Sequence, residues 1–324
     1  MGITFSQLFP PRPTSTEADL PSLKGKVFIV TGGASGIGHQ LASILYNAGG
    51  RVYIAGRSEA NPRHSISDIK AASTASLSTA GELDFLHLEL DDLSTIKSTV
   101  QAFTAKESRL DVLFNNAGVS LPPAGSLSKQ NHELQLATNC LGPYLLAQLL
   151  LPTLSATAVQ SAPAAVRVVW TSSQMVDLAA IKGGLDVARL TTDDQAQNYT
   201  VTKVGNWFLA SELAKQVGEK GILSVSQNPG NLKTNLLRSA PALMRWASTP
   251  LLYEAKMGAY TELWAGLSEE LKMVNGGAYI LPWGRLHPSP RSDLLDALKS
   301  VDEGGTGQAQ AFGEWCEKQA AEYR

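Results

Sequence analysis

The stretch Val27-Phe28-Ile29-Val30-Thr31-Gly32-Gly33-Ala34-Ser35-Gly36-Ile37-Gly38 decides the fold. Its first five residues are apolar or β-branched with scarcely any alternation, the pattern of a strand covered on both faces. Glycines stand at 32, 36 and 38, and Leu41 and Leu45 then repeat at helical spacing. A strand, a glycine turn and a helix in that order bring backbone amides and the positive end of a helix dipole to a place where a pyrophosphate can approach closely. Taken alone, the turn reads equally well as a bare connection without a ligand, so its meaning depends on the rest of the chain.

Outward from this stretch, further strands are expected at Arg51–Ala55, Leu83–Leu90, Val112–Phe114, Val166–Thr171, Leu223–Gln227 and Ala278–Leu281, separated by gaps that are nearly all helix-sized. That alternation predicts an α/β fold with a doubly wound parallel sheet of about seven strands. No Pro/Gly/Ser-rich linker divides the chain and no solenoid period repeats, so one domain is expected over 23–324, after a loose N-terminal arm at 1–22. Ala71 to Ala80 reads as a solvated loop. The apolar segment 236–265, with Met244, Trp246, Leu251, Leu252, Tyr253 and Met257, reads as a mobile substrate lid, and 285–324 as a C-terminal extension.

The 324 residues carry a formal charge of −2, with 44% hydrophobic and 17% charged residues. A nucleic-acid partner is not expected, because its footprint is a strongly basic face. Cys140 and Cys316 have no spacing that suggests a disulfide framework or a zinc site, which predicts a reducing, cytoplasmic setting and no metal. The residues through Pro21 lack the apolar run of a secretory signal or a spanning helix, so no stable membrane insertion is expected. Met1-Gly2 with Ser6 does satisfy the short N-myristoylation pattern, but no basic cluster follows as a second anchor.

Tyr199 and Lys203 are four residues apart, hence on one face of a helix. Lowering a tyrosine pKa from about 10 to about 7 takes about 4 kcal/mol of preferential stabilisation of the phenolate. An ammonium about 4 Å away supplies roughly that much at an effective dielectric near 20. The expected role of the pair is therefore acid/base work, with desolvation of the phenolate opposing it.

In chain order, Thr31-Gly32 through Gly38, Asn115-Asn116-Ala117-Gly118, Ser172-Ser173, Tyr199 with Lys203, and Pro229-Gly230 resemble the pattern of the short-chain dehydrogenase/reductase family over nearly the whole chain. The resemblance implies a Rossmann-type fold. It also implies a dinucleotide held by Gly32, Ser35, Gly36, Ile37, Gly38, Asn116, Ala117, Gly118, Tyr199, Lys203, Pro229, Gly230 and Thr234. Ser173, the second of its pair, would bind the substrate oxygen, and Asn139 would hold a proton-relay water, although a structural role fits a helix-buried asparagine as well. Where the family has an aspartate against the adenine, this chain has Leu88-Glu89-Leu90-Asp91-Asp92, so Glu89 and Asp91 are alternatives.

Arg57, in Gly56-Arg57-Ser58, has the planar fork that matches a 2'-phosphate, so NADP(H) is the expected cofactor; Glu59 keeps NAD(H) open. The resemblance further implies a homodimer or homotetramer. Through Pro282-Trp283-Gly284-Arg285 and the tail at Trp315-Cys316-Glu317, the chain is similar to fungal members of specialised metabolism. The expected function is hydride transfer between NADP(H) and the carbonyl/alcohol pair of a hydrophobic, polyketide-like substrate. Enoyl reduction, epimerisation or another isomerisation, and a non-catalytic NADP(H)-sensing protein are alternatives on the same scaffold. Asp177, Asp186, Asp193 and Asp194, with no histidine or ligand spacing, read as solvated loop acids, some near the substrate mouth.

Overall fold

The computed structural model describes residues 3–76, 79–234 and 252–324. Eight strands form one sheet: β1 (Val27–Thr31), β2 (Arg51–Gly56), β3 (Glu82–His87), β4 (Val112–Asn115), β5 (Val166–Thr171), β6 (Ile222–Gln227), β7 (Tyr279–Leu281) and β8 (Arg285–Leu286), in the order β3-β2-β1-β4-β5-β6-β7-β8. The first seven are parallel, and β8 runs antiparallel to β7. The sheet thus has one strand more than expected. β8 is two residues long and is reached through a turn in which Trp283 (φ 69°) and Gly284 (φ 92°) are both left-handed, a conformation that a tryptophan does not advertise. The third strand ends at His87 rather than Leu90, because Leu90 turns against a helix so closely that a Cβ on Gly142 would lie 2.3 Å from its carbonyl oxygen.

Helices cover both faces. On one lie α2 (Gly36–Asn47), α3 (Ala60–Ala72) and α8 (Ala255–Leu267), which share a core with Phe28, Val30, Val112, Phe114 and Val169. On the other lie α4 (Leu93–Thr104), α5 (Leu134–Val159), α7 (Gln195–Val217) and α10 (Gln308–Ala320), packed on Ile29, Leu113, Val168 and Trp170. Helix α5 is long and apolar enough to cross a membrane, yet most of it is buried between sheet and neighbouring helices. Its Ala137–Leu141 segment is π-helical, a local widening frequent at functional sites.

Several segments differ from expectation. Of the arm at 1–22, α1 (Ile3–Leu8) is not loose: Gln7 is buried, Arg285 donates to Ser6 O at 2.9 Å and Tyr253 donates to Leu8 O at 3.3 Å. Of the lid expected at 236–265, residues 236–251, including Met244, Trp246 and Leu251, lie outside the described residues, as does Gly2. The remainder is largely α8, a core helix rather than a lid. Arg167, buried in β5, reaches its last turn and donates to Ala265 O (3.0 Å) and Ser268 O (2.7 Å), a cationic cap on carbonyls that the helix cannot satisfy itself. Within the C-terminal extension, β8, α9 (Ser292–Leu298) and α10 belong to the same domain, and α10 seals the back of α7. A Cβ on Gly205 would meet Phe312 at 2.8 Å and Cys140 Sγ at 3.0 Å.

Candidate active site

β1 and β4 are neighbours, so the winding direction reverses between them, and in such sheets ligands bind outside the carboxyl ends at that point. The two loops that leave it are stitched together. Thr31 Oγ1 donates to Phe114 O (3.2 Å) and accepts from Ala117 N (2.9 Å), while Asn116 Nδ2 donates to Thr31 O (2.8 Å). Gly32 (φ 67°) and Gly36 (φ 55°) are left-handed, and a Cβ on Gly38 would lie 2.7 Å from both Asn116 Nδ2 and Gly32 O. Only glycine at 38 lets α2 sit this close to the loop. Ser35 makes no side-chain cap, which leaves the first amides of α2, beginning at Gly36 and Ile37, to a ligand. Thr234, beyond the left-handed Gly230, reaches the same spot: its Cγ2 would lie 3.4 Å from a Cβ on Gly36. This cradle fits a pyrophosphate.

Arg57 follows β2 directly. Its exposed guanidinium lies 3.2 Å from Asp91 Oδ2, whereas Asp91 Oδ1 is buried without a partner. Glu89 pairs instead with His87 at 3.2 Å. Of the two alternatives for an adenine contact, Asp91 is the one with an orphaned acceptor.

On α7, whose first turn is capped by Asp194 through Ala196 N (2.8 Å) and Gln197 N (3.2 Å), Tyr199 and Lys203 project together. Ser173 is the polar neighbour that favours the ionised form of the Tyr199 phenol, its own Oγ accepts from Met175 N at 3.3 Å, and Lys203 Nζ lies 5.4 Å from the Tyr199 ring centre. Lys203 donates to Thr171 O (3.0 Å), Asn206 Nδ2 to the same oxygen (2.8 Å), and Ser172 Oγ to Lys203 O (2.7 Å). Ser172 therefore ties β5 to α7. The main chain of Ser173 is fixed by Tyr279, whose hydroxyl donates to Ser173 O at 2.6 Å.

Asn139 lies in the π-helical segment with its side chain fully engaged. Nδ2 donates to Val119 O and to Thr202 Oγ1, both at 3.0 Å, and Oδ1 accepts from Val119 N at 2.8 Å. It locks the loop after Gly118 to α7. Burial pushes the Tyr199 phenol up to about 12 against the opposing bond from Ser173, and pulls Lys203 down to about 8 against the fields of Cys140 and Glu262. The partly exposed Tyr199 ring thus stands beside a lysine that is aimed at the Thr171 carbonyl.

Two further groups of residues had no motif to reveal them. Thr171, Gln227 and Glu262 form a buried hydrogen-bonded cluster beneath Lys203. The available signal was a glutamate inside the apolar run Tyr260-Thr261-Glu262-Leu263-Trp264. The second group stands beside Ser173, where Asp177 on α6 (Met175–Ala179) accepts from Gln7 (2.7 Å) and lies 3.1 Å from His287 Nε2, while Asn228 donates to Gln7 Oε1 (2.8 Å). Asp177 is consequently not the solvated loop acid expected. Its carboxyl sits below the ordinary value, because bonds from His287 and Gln7 outweigh the desolvation that raises it. Among the described residues no three His, Cys, Asp or Glu side chains are grouped to hold a metal.

A profile of the short chain dehydrogenases matches residues 26–243. The short-chain dehydrogenase/reductase iacJ of Pestalotiopsis fici is 46% identical over 324 residues, covering 97% of this chain and 96% of that protein. A short-chain dehydrogenase/reductase of Phomopsis amygdali is 45% identical over 327 residues, covering 98% and 96%. Among solved structures, a protein of Mycobacterium paratuberculosis is similar with a TM-score of 0.67 and 26% identity, over 95% of this chain and 97% of that one. A metagenomic short-chain oxidoreductase in complex with NADP is similar in fold, with a TM-score of 0.57, 22% identity, and 82% and 100% coverage. With residues 26–243 matched and relatives alike over nearly their full length, the chain belongs to the short-chain dehydrogenase/reductase family and is an oxidoreductase.

Proposed function

We propose that this protein is an NADP(H)-dependent reductase of a hydrophobic carbonyl compound, working reversibly on the carbonyl/alcohol pair. The observation that carries the reading is the gathering of Ser173, Tyr199 and Lys203 at the carboxyl end of β5, where Lys203 Nζ is held by Thr171 O, Ser172 ties the strand to α7 and Nζ lies 5.4 Å from the Tyr199 ring centre. The nicotinamide, when bound, supplies or accepts the hydride. Ser173 and Tyr199 hold the substrate oxygen by hydrogen bonds, and Tyr199 passes its Oη proton to that oxygen as negative charge develops there. The neutral phenol is the form that this donation requires, and the phenolate accepts the proton in the reverse direction. Lys203 then supports the phenolate by its charge.

The phosphorylated cofactor is favoured by Arg57, which stands at the end of β2 with an exposed fork. An apolar substrate is supported by Phe5 and Phe9, whose rings lie 5.0 Å apart at a tilt of 39° and are both exposed near the segment that meets Asp177 and Asn228. The similarity to fungal relatives supports a place in specialised metabolism, and two free, buried cysteines support a cytoplasmic setting. Self-association as a homodimer or homotetramer belongs to the same reading and is measured by light scattering.

Absorbance of NADPH at saturation, screened over aromatic ketones, quinones and polyketide-like carbonyls, tests the reading. Oxidation with release of an alcohol is expected, and Tyr199→Phe should lower turnover by about 10²–10⁴-fold. Full turnover in that variant would remove Tyr199 from the acid/base role.

A further inference from the structure

Glu262 sits in α8 with no solvent exposure at all. A carboxyl group taken out of water is costly unless other groups satisfy it, so such a residue calls for a reason. Its Oε1 accepts from Thr171 Oγ1 at 3.0 Å and from Gln227 Nε2 at 3.3 Å. Gln227 Nε2 also donates to Thr171 Oγ1 at 3.0 Å. Glu262 Oε2 and Gln227 Oε1 are buried and have no hydrogen-bond partner.

The location is more telling than the burial. Helix α8 packs on one face of the sheet and α7 on the other. The two sides meet at Thr171, the last residue of β5. Its carbonyl accepts from Lys203 Nζ and Asn206 Nδ2 of α7, while its hydroxyl donates to Glu262 of α8. One residue therefore links the lysine of the active site to an acid behind the sheet.

We propose that Glu262 is a positioning residue of the active site, acting across the sheet through Thr171 to keep the Lys203 ammonium in place and charged. The proposal rests on the acid/base reading of Tyr199 and Lys203. Among the described residues, the titratable groups that face Lys203 are Tyr199 on its own helix, Cys140 from the π-helical segment of α5, and Glu262 from α8. Burial raises the Cys140 thiol, so it stays protonated, and Glu262 is the one acid of this set. Burial lifts Glu262 to about 8 and lowers Lys203 to about 8, and the charge of each draws the other back toward its ionised form. Loss of the acid should therefore let the ammonium lose its proton at lower pH.

Two measurements on the full-length chain test this. In the first, NADPH turnover with a carbonyl found by the screen above is followed against pH for Glu262→Gln and Glu262→Asp. The alkaline limb of Glu262→Gln should move down by about half a pH unit or more, and Glu262→Asp, which keeps the charge, should hold the parent limb; NADPH affinity should stay within about twofold. An unmoved limb in Glu262→Gln, or an equal movement in both variants, overturns the proposal. The second needs no substrate: a thermal-stability cycle over Glu262→Gln, Lys203→Met and the double variant at about pH 8, where Glu262 and Lys203 are both partly ionised. Non-additive shifts are expected, and strict additivity overturns the proposal. Should Tyr199→Phe keep its activity, the acid/base reading fails while this cycle still reports the coupling of Glu262 to Lys203, so the two failures are told apart.

Discussion

The glycine cradle and the polar rim around Asp177, beside Ser173, are built by contrasting means. The cradle consists of loops that each follow their own strand at once, and its demands are backbone demands: a left-handed φ at Gly32 and Gly36, and no room for a Cβ at Gly38. The rim is built from side chains that meet over long stretches of chain. Gln7 spans 170 residues to Asp177 and 221 to Asn228, and His287 lies 110 residues from Asp177. Requirements of the first kind leave a glycine in the sequence; those of the second leave ordinary polar residues.

This contrast can be broken by experiment. The largest effect is expected at Gly38→Val, which forces a branched side chain into a space where a Cβ already lies 2.7 Å from its neighbours. About 2–3 kcal/mol of overpacking should weaken NADPH binding by roughly 30–150-fold in a fluorescence titration. Unaltered affinity would mean that the cradle does not hold the cofactor. Next is Arg57→Glu. Losing a charge-assisted contact should cut the preference for NADPH over NADH by about 10–100-fold in kcat/KM, and an unchanged ratio would place cofactor choice elsewhere.

On the rim, Asp177→Asn should cost about 1–2 kcal/mol, seen as a fall in Tm of about 2–4 °C at neutral pH. Because the carboxyl of Asp177 is held below its unfolded value, its contribution is complete above the carboxylate range and fades as pH falls through it. The Tm gap between variant and parent should therefore close in acid; a gap that persists there contradicts a charged Asp177. The smallest effect is expected from Gln7→Ala: a severalfold higher KM for the carbonyl, with the KM for NADPH unchanged. If the NADPH value moved equally, the two regions would not be separable.

How much was legible follows from the same contrast. The strand-glycine-helix unit at 27–38, the doubly wound parallel sheet and the grouping of Ser173, Tyr199 and Lys203 could be read because each is set by local pattern or by a short motif. The two-residue β8 was illegible, since Trp283 does not signal a left-handed turn. The reading of 252–265 as lid failed because apolar content cannot distinguish a mobile cover from a helix packed on the sheet, and the carbonyl contacts of Arg167 that decide it come from about 100 residues away. Asp177 was read as solvated because both of its partners, Gln7 and His287, are remote in sequence.

The packing of α10 on α7 has a consequence for the order in which the molecule is made. The helix bearing Tyr199 and Lys203 gains its outer cover from Ala309, Phe312 and Cys316, all near the end of the chain. A growing polypeptide can assemble the glycine cradle early, but α7 stays partly bare until the last helix has left the ribosome. A chain interrupted before residue 308 would thus carry the glycine cradle beside an uncovered apolar face, a surface that chaperones and proteases recognise, and a covered α7 would arise only once residues 308–320 had been added.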